Sequence, residues 1–197
     1  MTGRRRLLLL APAGVLAAAM LGTAAWVMSQ RDSDGGIVPI GGPFCLQAAG
    51  GRTVTDTEFR GRWMLVYFGY THCPDACPTA LADMANAADS LSPAARAKLA
   101  MVFITIDPER DTPDVVGDYV TAFSAPITAL SGTPDEIAAV AREYRVYFAK
   151  RKRPDGDYDM DHSSIIYLMD PKGRFAANFT HETPPDAIAA KLRALIG

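Results

Sequence analysis

The chain has 197 residues, 49% of them hydrophobic, and a formal net charge of −2. That length and apolar content suffice for one domain with a real core and exclude a disordered chain. Three cysteines cannot close a disulfide framework, and a mildly acidic body without a long basic run excludes nucleic acid as the main partner.

Arg4, Arg5 and Arg6 precede LLLLAPAGVLAAAMLGTAAWVM, Leu7 to Met28, a run without charge. Roughly 20 apolar helical residues cross the ~30 Å hydrocarbon layer, whereas a signal-peptide core usually has about 7–15. Residues 1–28 therefore read as an uncleaved membrane anchor, with the arginines kept cytoplasmic and everything after Met28 sent across. A cleaved signal is the alternative, since small residues stand at Ala17–Ala19 and Thr23–Ala25. Arg4-Arg5 before leucines also resembles a twin-arginine signal. A cytosolic protein with a buried amino-terminal helix is the remaining alternative. The expected location is the inner membrane of a bacterium, with the soluble domain in the periplasm; a mitochondrial inner membrane comes second. SQRDSDGGIVPIGGP, Ser29 to Pro43, reads as a flexible linker, and residues 44–197 as the folded domain.

Within that domain, Thr53–Thr55 reads as a short strand or half a hairpin. WMLVYFGY, Trp63 to Tyr70, is a continuous apolar run, as expected of a strand covered on both faces. Thr79 to Leu91 reads as a helix, and MVFITID, Met101 to Asp107, as a second buried strand. Pro113 to Phe123 suits a helix with Thr112 as its cap. Thr133-Pro134-Asp135-Glu136 is a capping box for a helix ending near Tyr144. Val146 to Ala149 reads as a short strand, with Lys150–Arg153 as a loop beyond it. SSIIYLMD, Ser163 to Asp170, then turns through Pro171-Lys172-Gly173 into Arg174 to Thr180. A last helix starts at Thr183-Pro184. This order predicts an α/β fold, a mixed central sheet with helices on both faces after an amino-terminal hairpin. Cysteines at a first strand–helix junction are what the thioredoxin fold provides.

Those cysteines are Cys73 and Cys77 of YTHCPDACPTAL. Pro78 fits the first turn of a helix, which puts Cys77 at its entrance and Cys73 in the loop before it. Unpaired N–H groups and the helix dipole favour thiolate there, and a thiolate is both nucleophile and metal ligand. Pro74, Asp75 and Ala76 make the spacing one residue wider than C-x-x-C, which lets two sulfurs share one centre and still permits a disulfide. Of His72, His162 and His181, His162 sits just before a buried strand, where a neighbour of the cysteine strand would carry it to the same sheet edge. Two sulfurs and an imidazole suit copper, as Cu(I) or Cu(II), while zinc with a water is possible on coordination grounds.

CPDACP, IDPERDTP and DHSSIIYLMDPKGR together resemble the Sco/SenC family over the chain from about Phe44 to its carboxyl end. The resemblance implies a membrane-anchored copper chaperone with a thioredoxin-like fold, involved in assembling the binuclear copper centre of cytochrome c oxidase. It implies Cys73, Cys77 and His162 as metal ligands, one copper per chain, and the copper-bearing oxidase subunit as partner, with an unknown copper donor. Cys45 lies outside the family pattern and reads as a small buried hydrophobe on the first strand. Asp161 can orient the His162 ring or be a solvated carboxylate. Asp107 can cap a turn or support the site. Met160 is a packing residue or a transient soft ligand, and His72 an exposed loop residue. Tyr70 and Phe68 wall the site or fill the core.

Three functions compete. The first is copper binding and delivery. The second is a thiol–disulfide oxidoreductase acting through Cys73 and Cys77 on the partner's copper-binding cysteines. The third is a peroxidase, for which nearby Thr71 and Thr79 are not enough.

Overall fold

The computed structural model describes residues 39–180 and 182–197. The expected anchor at Leu7–Met28, most of the linker and His181 lie outside the described residues. The chain enters an antiparallel hairpin, β1 (Cys45–Ala48) and β2 (Arg52–Thr55), with Leu46 opposite Val54. Leu46 and Ala48 are buried and Cys45 is exposed, because successive side chains of a strand point to opposite sides. Cys45 is therefore not the buried hydrophobe expected.

The two apolar runs form the centre of the molecule. β3 (Trp63–Gly69) and β4 (Leu99–Thr105) pair in parallel, Tyr67 opposite Phe103, and every residue of β4 is buried. Parallel strands covered on both faces need such unbroken apolar sequence. β3 also pairs antiparallel with β8 (Ile165–Met169), and β5 (Ile127–Leu130) and β9 (Phe175–Thr180) complete a five-stranded mixed sheet of order β5-β4-β3-β8-β9. Tyr67 and Phe68 point to opposite faces. Tyr67 reaches helix α1 (Ala76–Asp89), whereas the Phe68 ring lies 5.2 Å from Tyr144 at the end of α4 (Pro134–Glu143). Phe103, on the Tyr67 face, packs against Tyr119 of α3 (Pro113–Val120). Helices therefore cover both faces, as expected.

Helix entrances follow the sequence signals. Thr112 accepts from the Val115 N–H, and Thr133 and Glu136 form the predicted capping box. A short helix α2 (Pro93–Ala97) precedes β4, and α5 (Pro185–Ile196) closes the chain. β5 and α2 were not expected; each is only a few residues long.

One stretch departs further. The strand placed at Val146–Ala149 is β6 (Phe148–Lys152), and the basic residues read as a loop are its continuation. It pairs with β7 (Tyr158–His162) in a separate two-stranded sheet, Phe148 opposite His162. Charge holds this hairpin: Arg151 bonds Asp159 at 3.0 Å and Asp161 at 3.1 Å across the strands. A strand stabilised by cross-strand ion pairs lacks the apolar alternation that marks strands in sequence.

Candidate metal centre

β3 ends at Gly69, and the loop after it carries Cys73 to the start of α1. The residue before α1, Asp75, makes no side-chain cap. Instead the Cys77 backbone N–H donates to the Cys73 sulfur at 3.4 Å. Sulfur thus takes up one of the N–H groups that a helix start leaves unpaired. Cys77 sits in the first turn, fully buried; Cys73 is half-buried, and neither is in a disulfide.

The third group arrives from the hairpin. His162 ends β7, and Ser163 and Ser164 lead into β8. Because β8 runs antiparallel to β3, Ile166 opposite Tyr67, the entrance of β8 lies beside the exit of β3. His162 Nε2 is 3.6 Å from the Cys77 sulfur. Its Nδ1 donates to the Ser163 carbonyl oxygen at 3.2 Å, which turns Nε2 toward the sulfurs. The rings of Tyr70 and Tyr67 meet the imidazole edge-on, at 5.9 Å and 6.3 Å between centroids. One ligand atom from each of Cys73, Cys77 and His162 lies within 4.8 Å of the others. Metal bonds of about 2.0–2.3 Å place two donors at most about 4.6 Å apart. The trio therefore needs only a small contraction to share one ion.

The two thiols differ in acidity. The hydrogen bond from Cys77 holds the Cys73 thiol far below the ordinary thiol range, with His162 helping and burial opposing. The same hydrogen bond, and then burial, hold the Cys77 thiol well above it. The pair gives up its first proton readily and its second reluctantly. The Tyr67 hydroxyl, pushed up chiefly by burial, donates to the Cys77 sulfur at 3.8 Å.

Residues 33–197 match the family model described as SCO1/SenC. The chain belongs to the SCO1/SenC family. The human mitochondrial SCO1 homologue is 43% identical over 155 residues, covering 78% of this chain and 52% of that protein. The Arabidopsis thaliana mitochondrial SCO1 homologue 1 is 45% identical over 140 residues, covering 71% of this chain and 42% of that protein. The chain thus spans about half the length of the curated relatives it matches. The copper-bound ScoI structure from Bradyrhizobium japonicum is 44% identical, covers 79% of this chain and 98% of its own, and superposes with a TM-score of 0.72. The thioredoxin-like α/β architecture is that of these SCO1/SenC structures.

The comparisons correct one expectation. The curated relatives are mitochondrial proteins of eukaryotes, which overturns the assignment to a bacterial inner membrane and periplasm. An apolar run behind arginines reports orientation across a membrane and not which membrane it is. Among the described residues no helix is long and apolar enough to cross a membrane.

The other residues singled out in this SCO1/SenC chain fall as follows. Asp161 is half-exposed and turns to Arg151. Met160 is buried, lining a small cavity with Ile106, Ile137 and Phe148, and stands outside the ligand group. His72 is exposed, its Nδ1 3.1 Å from the Thr71 hydroxyl. Tyr70 walls the site, whereas Phe68 fills the core on the other face. The Asp107 carbonyl accepts from the Arg110 and Asp111 N–H groups, and its carboxylate accepts from Arg110 and Tyr158. Asp107 thus caps a turn and also braces the histidine hairpin.

Sequence reasoning passed over Asp111 and Arg110. The buried Asp111 carboxylate accepts from the Thr71 N–H at 2.9 Å, the Thr71 hydroxyl at 2.6 Å and the Thr105 hydroxyl at 2.7 Å. It anchors the loop two residues before Cys73. The available signal was several charges packed directly behind a wholly apolar strand.

Proposed function

We propose that this chain is a membrane-tethered copper metallochaperone. It holds one copper ion between Cys73, Cys77 and His162 and delivers it to the binuclear copper centre of cytochrome c oxidase. The observation that carries this reading is the preformed group of two sulfurs and one imidazole nitrogen within 4.8 Å. Thiolates satisfy Cu(I), and the nitrogen helps hold Cu(II), so one pocket accepts both oxidation states. Membership of a family whose proteins take part in copper delivery to cytochrome c oxidase supports the destination, and a copper-bound relative supports the cargo. In this reading residues 7–28 are the tether, the copper-bearing oxidase subunit is the partner, and a separate donor loads the site.

The test is copper binding by the full chain, reduced and loaded. One copper per chain is expected. His162→Ala should weaken Cu(II) far more than Cu(I), and loss of both cysteines should abolish both. Stoichiometric binding that survives removal of Cys73 and Cys77 would end the reading.

One observation favours a second role. Cys73 is half-buried and thiolate-prone, with a buried partner thiol beside it. Such a pair can reduce a disulfide between the oxidase subunit's copper-binding cysteines. The Cys73 thiolate attacks one partner sulfur and expels the other as thiolate. Cys77 gives its proton to that expelled thiolate and attacks the Cys73 sulfur, expelling the partner's second sulfur as thiolate, which leaves Cys73–Cys77 oxidised and the partner's cysteines reduced. Oxidase assembly measured with His162→Ala separates the roles: full assembly favours the redox reaction, and failure favours copper delivery.

A further inference from the structure

We propose that Arg110 is a positioning residue that keeps His162 within reach of the sulfurs by fastening the β6–β7 hairpin to the turn after β4. The proposal rests on Cys73, Cys77 and His162 being the copper ligands. β6 and β7 form a two-stranded sheet outside the five-stranded one. A lone two-stranded hairpin is marginal in water, so the place of its last residue depends on what the hairpin is attached to. One attachment is the chain itself, running through Ser163 and Ser164 into β8.

Besides the buried Met160 and the Lys150–Glu109 ion pair, a further attachment is the Arg110 guanidinium. Its Nε donates to the Asp107 carboxylate at 2.5 Å, and its Nη1 to the Tyr158 carbonyl at 3.0 Å and the Asp157 carboxylate at 3.4 Å. Its central carbon lies 3.8 Å from the centroid of the Tyr158 ring. The Tyr158 hydroxyl donates in turn to the other Asp107 oxygen at 2.8 Å. Tyr158 begins the strand that His162 ends. The same guanidinium is 5.9 Å from the Tyr70 ring, and that ring meets the imidazole edge-on at 5.9 Å. Arg110 therefore grips the start of the histidine strand and backs the ring on which the histidine rests. Its side chain is 18% exposed, so these charge-assisted bonds are largely shielded from water. A planar fork with a stacking face does this, and a single ammonium cannot do all of it.

The cysteine half is held separately, by Asp111 on Thr71. Loss of Arg110 should therefore loosen the imidazole and leave the sulfurs in place. General destabilisation would not produce that split.

The experiment uses the full chain with Arg110→Met and Arg110→Lys, and His162→Ala in parallel. Circular dichroism reports folding, a chromophoric chelator competition reports Cu(I), and electron paramagnetic resonance reports Cu(II). Arg110→Met should keep one Cu(I) per chain, lose about 10–100-fold in Cu(II) affinity, the usual range for a group that orients a ligand, and lose nitrogen hyperfine structure. Arg110→Lys, which keeps a charge beside Asp107, should fall between; if Arg110→Met does not fold, this variant carries the same test. Wild-type Cu(II) spectrum and affinity in a folded variant, or equal losses of Cu(I) and Cu(II), would overturn the proposal. An unaltered Cu(II) spectrum in His162→Ala would instead overturn the ligand assignment beneath it, so the two failures are distinguishable.

Discussion

The Asp111 carboxylate accepts both the backbone N–H and the hydroxyl of Thr71, at 2.9 Å and 2.6 Å, across 40 positions of sequence. One buried side chain thus ties the turn after β4 to the start of the cysteine loop. A third bond comes from Thr105 at 2.7 Å. Asp111→Ala would leave three donors without this acceptor, the buried Thr105 hydroxyl and the half-buried N–H and hydroxyl of Thr71. Each such loss costs on the order of 1–3 kcal/mol, with partial relief from water. The expected loss is about 3 kcal/mol in a urea melt of the apo protein, and Asp111→Asn, which keeps one acceptor oxygen, should lose about half as much. An Asp111→Ala melt within 0.5 kcal/mol of wild type, on the order of a neutral surface change, would contradict this account.

Much of this arrangement was legible in sequence, for physical reasons. Buried parallel strands must be apolar along their whole length, so β3 and β4 announce themselves. Helix starts need local caps, so Thr112 and Thr133 do too. The cysteines and His162 stood out by chemistry, and β8 beside β3 brings them together. What stayed hidden depends on distant partners. The β6–β7 hairpin is joined by Arg151 with Asp159 and Asp161, and a charged alternation reads as loop. Arg110 and Asp111 matter only through Tyr158, Thr71 and Thr105, which no local pattern reveals. Cys45 was misplaced because in a four-residue strand the choice of inward face turns on which neighbours pair.

Among the described residues the Tyr67 hydroxyl is the one side-chain O–H that reaches the Cys77 sulfur, at 3.8 Å. Hydrogen bonds to a thiolate ligand draw charge from sulfur and tune the metal's potential. Tyr67→Phe keeps the ring and its packing, so stability should fall by no more than about 1 kcal/mol. Copper stoichiometry should hold, while the sulfur-to-Cu(II) charge-transfer absorption shifts to lower energy. An absorption spectrum superposable on that of wild type would show that the hydroxyl does not reach the bound state.

The unequal thiols fix the proton balance of loading. Cys73 is held low by its bond from Cys77, and Cys77 is held high by the same bond and by burial. A depressed thiol stabilises the fold above its ordinary pKa and loses that contribution as pH falls. A raised thiol contributes below its ordinary pKa and loses it as pH rises. Between pH 7 and 8 the unfolded chain holds both thiol protons and the folded chain only that of Cys77, so only the depressed thiol acts in this range and stability should rise with pH. Copper uptake adds its own pH dependence, since the ion must displace the remaining proton. About one proton should be released per copper in this range, and apparent affinity should rise about tenfold per pH unit. Calorimetry in buffers of different ionisation enthalpy measures this, and release of two protons would show both thiols protonated beforehand.

Gly69 closes β3 beside the Cys77 sulfur. A Cβ there would lie 2.8 Å from the Cys77 sulfur, 2.9 Å from Tyr67 Cε1 and 3.0 Å from Phe103 Cε2. Two of those neighbours are rings fixed in the core, so the movable one is the sulfur at the entrance of α1. Gly69→Ala should cost about 1–3 kcal/mol, the usual range for overpacking. Because it displaces a sulfur and not the imidazole, it should weaken Cu(I) and Cu(II) together, unlike His162→Ala. Paired Cu(I) and Cu(II) titrations of the two variants provide the comparison. Full Cu(I) affinity in Gly69→Ala would mean that α1 shifts as a body and carries both cysteines with it.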